Sequence, residues 1–284
     1  MKKISSYSII AFALLIVVAG CNKEAGPTPG EPYLSFEFPQ GSNAYDQRIM
    51  EFQKNNGAYI LYKFSYLDFR YNVTSYITYI AENAEEGYVD ASLDSLQSHL
   101  FGYYDPALLK KLLPQKILLS SLIRRIRGTA ENILDTFPAP INAVQAINHI
   151  SFGHAGSRLA ALTQADWDTV RGDLHYNCWL NSLTAGKLTV PPAFYSGIDY
   201  TKVTAGNYKT FGIIEFDPSN KPNAAKDFAT WVKYITSRTK AELDNGILNP
   251  ATDTQSKYRN RYNFIINYFQ SEYGMDLQAI GSKQ

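Results

Sequence analysis

Residues 175–179 read His-Tyr-Asn-Cys-Trp and lie within the stretch 166–194, DWDTVRGDLHYNCWLNSLTAGKLTVPPAF. At such a place the pattern His-Glu-x-x-His would hold Zn²⁺. Its two histidines, at i and i+4, share one helix face, and its glutamate activates a water molecule. This chain keeps His175, places Tyr176 where the base would stand and Trp179 where the second ligand would stand. An indole has no free lone pair for a metal, and a phenol with a pKa of about 10 is a poor base for metal-bound water. A displaced site is the alternative: His149, His154 and His175 as three ligands, with Asp173 as base. The five-residue separation of His149 and His154 sets them on opposite faces of a regular strand, so the turn after it would have to bring them together. No Gly-x-Ser-x-Gly elbow and no phosphate-cradling glycine loop is present.

The element expected to position these groups is a helix opening at Asp166, followed by a loop that Pro191 and Pro192 stiffen. Trp167, Val170, Leu174, Cys178 and Asn181 recur at helical spacing and should pack inward. Before it, 34–38 alternates like a short strand, and 44–54 reads as a helix capped by Ser42 or Asn43 and stopped at Gly57. Residues 58–64 form an aromatic, β-branched strand, and 69–73 extends the sheet or returns as a hairpin arm. Helices follow at 89–100 and from Asp105-Pro106 to Pro114, then a buried strand at 116–123. The basic run 124–128 reads as a solvated edge or loop, Pro138 and Pro140 bracket a break, and 141–152 is another strand. Two later helices are expected, 224–240 and 255–273, the second stopped by Gly274. Strands crowd the first half and helices the second, so the class is α+β.

Composition narrows the function. Lys and Arg number 27 against 26 Asp and Glu, which leaves no electrostatic footprint for nucleic acid. The 284 residues suffice for a real core, and the 21 tyrosines suit half-buried positions or binding surfaces. The cysteines are two, Cys21 and Cys178, and the first closes a processing signal. Lys2 and Lys3 precede an apolar run at 9–18, too short for a membrane span, and Val18-Ala19-Gly20-Cys21 ends it. This resembles a bacterial lipobox, which implies a signal peptide over 1–20 and lipidation of Cys21. A Pro/Gly-rich linker then covers 21–32 and a single domain 33–284. No Asp follows Cys21, and the early Lys23-Glu24 resembles surface-export signals, so a lipid-anchored outer-membrane location facing outward is expected. Cys178 has no partner for a disulfide and should be a buried apolar group.

Several segments taken together carry a resemblance. A helix leads into a Tyr-rich strand at 45–64, and ALLKKLLPQKI at 107–117 is similar to a Leu-Lys-Lys-x-x-Pro-Lys approach to a strand. Pro191-Pro192-Ala193-Phe194 follows the His175 helix, Lys226-Asp227-Phe228-Ala229-Thr230 is similar to Glu-Asp-Phe-Ala-Glu, and Gly274-Met275-Asp276-Leu277 to a terminal Gly-Ile-Asp-Leu. Over most of its mature length the chain thereby resembles the zinc-binding metallopeptidase lipoproteins that Bacteroidetes encode beside TonB-dependent nutrient importers. The resemblance implies a zincin-like scaffold, with a mixed sheet in the N-terminal half and packed helices in the C-terminal half. It also makes His175, Tyr176, Trp179, Asp227 and Thr230 the positions of a degenerate site, since Lys226 and Thr230 stand where acidic residues belong. A non-catalytic member is therefore expected, with no metal or other cofactor. Tyr176 and Trp179 would line the former cleft, and the chain would assist capture of a peptide or glycan for an importer and its binding lipoprotein. The alternative is an active zinc hydrolase using His149, His154 and His175.

Overall fold

The computed structural model describes residues 34–71 and 78–283. The signal, Cys21 and the linker lie outside the described residues. Contacts divide the chain into Met1–Phe38 and Pro39–Gln284. In the first unit, 34–38 runs through bends without ladder pairing, so the alternation there does not become the expected strand. Among the described residues no helix is long and apolar enough to cross a membrane.

In the second unit, α1 (Ala44–Asn56) leads to β1 (Tyr59–Leu61), α2 (Tyr66–Phe69), β2 (Tyr79–Asn83), α3 (Val89–His99) and α4 (Pro106–Leu112). The caps follow the sequence: Asn43 and Asp46 close a capping box on α1, Gly57 stops it at φ 76°, and Asp105 caps α4 ahead of Pro106. Phe69, expected in the sheet, ends α2, because Ser65 and Asp68 form a capping box that winds this segment into a turn. Residues 72 and 73, the end of that expected arm, lie outside the described residues.

Strand β3 (Lys116–Gly128) is the spine. Its first residues lie between β1 and β6 (His149–Phe152), parallel to both, with Ile117 opposite Ile60 and Ile150. Covered on both faces, this part reads as a continuous apolar run. Its second part does not stop at Ile123. It continues through the arginines, because β2 and β4 (Ile133–Pro140) pair antiparallel with it on its two sides. The break expected at Pro138 and Pro140 is therefore an edge strand, the one place in a sheet that tolerates a missing N–H. The single strand expected at 141–152 is a hairpin instead, β5 (Ala143–Gln145) returning antiparallel as β6, with Ala146 N–H donating to His149 O at 3.0 Å across its turn.

The second half is helical: α5 (Gln164–Thr184), α6 (Pro192–Tyr195), α7 (Ala224–Thr236), α8 (Lys240–Asn245), α9 (Lys257–Tyr273) and α10 (Leu277–Gly281). Helix α5 lies between the β5 edge and α7. Gly172 is what lets α5 and α7 approach. A Cβ there would stand 2.7 Å from the Ser237 Cβ and 3.1 Å from the Lys233 carbonyl oxygen. The core of this half is aromatic, with the Trp179 ring 5.6 Å from Phe228 and 5.0 Å from Phe269. The class is a mixed α+β fold with a mixed sheet and many helices.

Candidate functional site

Thr163 starts α5 through a capping box with Asp166, and Val170, Leu174, Cys178 and Asn181 are buried along it as the periodicity requires. Trp167 is only half-buried, stacked on His99 at 4.2 Å. Cys178 is a free, fully buried thiol whose pKa burial pushes upward.

His175 and Trp179 do share a face of α5, but that face looks into the protein. The Trp179 indole N–H donates to the Tyr104 hydroxyl at 3.0 Å, and that hydroxyl in turn bonds His175 Nδ1. Since indole can only donate, the tyrosine oxygen accepts from it and the tyrosine proton goes to Nδ1, leaving the His175 proton on Nε2. Burial, with the Arg171 charge behind it, pushes the His175 pKa down to about 3, so the ring is neutral. The i, i+4 pair thus holds a tyrosine. Trp179, expected to line a cleft, is 1% exposed and belongs to the aromatic core.

The face of α5 turned to the edge strand and α7 carries Asp173, Tyr176, Asn177 and Asn181. Asn177 Nδ2 donates to Asp173 O at 2.7 Å and to Ala143 O at 3.4 Å, and Asn181 Nδ2 donates to Ala146 O at 2.6 Å. These amides occupy backbone acceptors beside β5 that an extended ligand could otherwise use. The Asp173 carboxylate accepts from Lys233 Nζ at 2.9 Å and from Asn142 Nδ2 at 2.8 Å. With that amide nitrogen committed, the Asn142 oxygen faces His154, so His154 Nε2 carries the proton of their 2.9 Å bond. A hydrogen-bonded row therefore runs from His154 through Asn142 and Asp173 to Lys233. Burial pulls the Lys233 ammonium down, but Asp173 outweighs it and holds the pKa above the usual lysine range.

Of the predicted degenerate-site residues, Tyr176, Asp227 and Thr230 line one cavity, whereas His175 and Trp179 do not. The Tyr176 ring lies 5.8 Å from Lys233 Nζ, and burial followed by the Glu215 and Asp173 charges pushes its pKa up to about 12. The cavity, about 490 Å³, is also lined by Glu215, Asp217 and Lys226. A neighbouring hollow of about 400 Å³ shares Tyr208 and Ile214 with it. Asp227 serves the scaffold: its Oδ2 accepts from the Tyr200 hydroxyl at 2.7 Å and from the Arg261 guanidinium, tying α7 to the 200s loop and α9. Burial raises its pKa against the pull of Arg261. Thr230 bonds its hydroxyl back to Lys226 O at 2.8 Å, within its own helix.

The residues along this side of α5 do not fit a zinc ion. Both Asp173 oxygens are engaged, the asparagine amides act as donors, and an ammonium stands among them. The displaced set is no better placed. His149 packs 5.9 Å from Phe69, His154 bonds Asn142, and His175 bonds Tyr104. Among the described residues no group of three or more His, Cys, Asp or Glu is arranged to hold a metal. Sequence reasoning missed Tyr104, Asn142 and Lys233, which come from other elements. Asp173, Asn177 and Asn181, spaced by four, were the available signal for the α5 side that packs against β5.

Among solved structures, the fold is similar to that of a candidate zinc-binding metallo-peptidase from Bacteroides caccae, with a TM-score of 0.50 and 10% identity. The match covers 85% of this chain and 92% of that one. The likeness is one of fold alone. No protein-family model matches the sequence, and a comparison with curated proteins gives no match.

Proposed function

We propose that this chain is a lipid-anchored, cell-surface binding protein on a metallopeptidase-like fold, serving peptide or glycan uptake through an outer-membrane importer. Cys21 would carry the anchor, and the Tyr176 cleft would carry the ligand. The observation behind the reading is the exchange on α5 and α7. Where a hydrolase needs metal ligands and a base, the cavity offers the face of Tyr176 with Lys226, Thr230 and an already engaged Asp227, beside an Asp173–Lys233 ion pair. Such a surface suits recognition, with an aromatic face for stacking and Glu215, Asp217 and Lys226 for hydrogen bonding.

The test is zinc content of the purified chain, before and after incubation with excess zinc, alongside calorimetric titration with peptide and glycan panels. The expected result is substoichiometric zinc, no hydrolysis, and a ligand whose affinity falls about tenfold in Tyr176→Ala, equivalent to about 1.4 kcal/mol. Stoichiometric zinc with hydrolysis would overturn the reading in favour of an active metallohydrolase. Cys21→Ser should move the protein from the membrane fraction to the soluble one, and retention in the membrane would refute the anchor.

A further inference from the structure

Six large hydrophobic side chains stand exposed among the described residues, and they are not scattered. Ile133, Leu134 and Phe137 are on β4, at 42%, 64% and 42% exposure. Leu67 and Tyr71 flank Arg70, whose guanidinium reaches Glu131 in the β3–β4 turn at 2.5 Å. Five of the six therefore gather about one hairpin, and only Ile147 lies elsewhere. A cluster of this kind marks a contact surface.

Its basic residues outnumber its acidic ones, three arginines against Glu131 and Asp135. Arg124, Arg125 and Arg127 are exposed on the outer part of β3. Arg127 reaches Asp135 only at 3.8 Å, and no carboxylate among the described residues lies within ion-pairing distance of Arg124 or Arg125. Arg125 instead lies 5.2 Å over the Phe137 ring.

The backbone argues against an added strand as the occupant. Alternate residues of a strand turn their N–H groups to the same edge. In β4 that alternation is interrupted by register shifts, and donors are lacking at three of its positions besides: the Thr136 N–H is taken by Asp135 Oδ1 at 2.9 Å, and Pro138 and Pro140 have none. Contact must then be made by side chains. The register of β4 shifts between Ile133 and Asp135 and again between Thr136 and Pro140, so its exposed apolar side chains do not form one regular face. A flat protein partner would cover one face, whereas a lipid interface surrounds a projecting tip.

We propose that the β3–β4 hairpin is a docking element for an anionic lipid surface. Ile133, Leu134 and Phe137 enter the acyl boundary, and the three arginines meet the phosphates of the headgroups. This surface is separate from the Tyr176 cleft and does not depend on what that cleft binds.

The experiment is co-sedimentation with vesicles of phosphatidylcholine containing phosphatidylglycerol, compared with phosphatidylcholine alone. It uses the chain starting at Asn22, without leader or acyl group, which keeps all of the compact unit Pro39–Gln284. Binding should require the anionic lipid and weaken with salt. The pair Leu134→Asp and Phe137→Asp should reduce it at least about tenfold, and Arg124→Glu with Arg125→Glu about fivefold or more for each residue. All four positions are exposed, so unchanged thermal midpoints will show that the variants fold. Absence of binding to anionic vesicles, or binding that both pairs of substitutions leave intact, would overturn the proposal. So would equal affinity for soluble polyglutamate, which would point to an acidic protein partner.

Discussion

Helix α5 presents two faces about half a turn apart around its axis and opposite in character. On one, His175 and Trp179 close around the Tyr104 hydroxyl in a buried, neutral contact. On the other, Asp173, Asn177 and Asn181 reach outward to Lys233 and to the carbonyls beside β5, and Tyr176 looks into a cavity of about 490 Å³. The residues that resemble a metal motif belong to the face that packs. Those that face the cleft form no recognisable motif. Residue type alone does not reveal function on a helix; a polar pair can be aimed at a partner side chain as readily as at an ion.

Acid should break the buried side of this comparison most strongly. Burial depresses His149 and His175 to about 3 and His154 to about 4. Their folded pKa values lie below the unfolded value of about 6.5, so the stability they allow is complete above that pH. It is lost as the unfolded chain takes up protons that the folded chain refuses. Each histidine should contribute a slope of up to about 1.4 kcal/mol per pH unit from about pH 6.5 downward towards 4. Urea unfolding at pH 7, 6, 5 and 4.5 measures it, and a flat profile between pH 7 and 5 would contradict these burials.

Substitution separates the two faces next. Trp179→Ala should cost about 3–5 kcal/mol by opening a cavity among Phe228, Phe269 and Tyr104, whereas Tyr176→Ala should cost less than half as much and act on ligand binding instead. Equal losses from the two would erase the distinction. Gly172→Ala probes the seam between them. Its methyl meets Ser237 and the Lys233 carbonyl, so a loss of about 1–3 kcal/mol is expected, seen as a lowered thermal midpoint.

Much of the fold was legible locally. Capping boxes and the glycine stops at Gly57 and Gly274 placed helix ends to within a few residues, because a cap is decided by neighbours in sequence. The concentration of strands before helices gave the α+β class. The errors fell where pairing partners decide the outcome: β3 running through its arginines, β4 through two prolines, and the split of 141–152 into a hairpin. The candidate site was legible only in part. Its helix was found and Tyr176 reached the cleft, but Trp179 did not.

By itself, the sequence determined which segments wind into helices, where they stop, and that α5 carries an apolar stripe from Val170 to Cys178. Those outcomes depend on interactions within a few residues of chain. Only the tertiary structure decided which remaining face of α5 met the cleft. That choice turned on Tyr104 from the segment before α4, Asn142 from the approach to β5 and Lys233 from α7, 71, 31 and 60 residues from the positions they meet. A hydrogen-bond donor such as an indole or an asparagine amide accepts whichever partner the packing delivers, and no local spacing records that delivery.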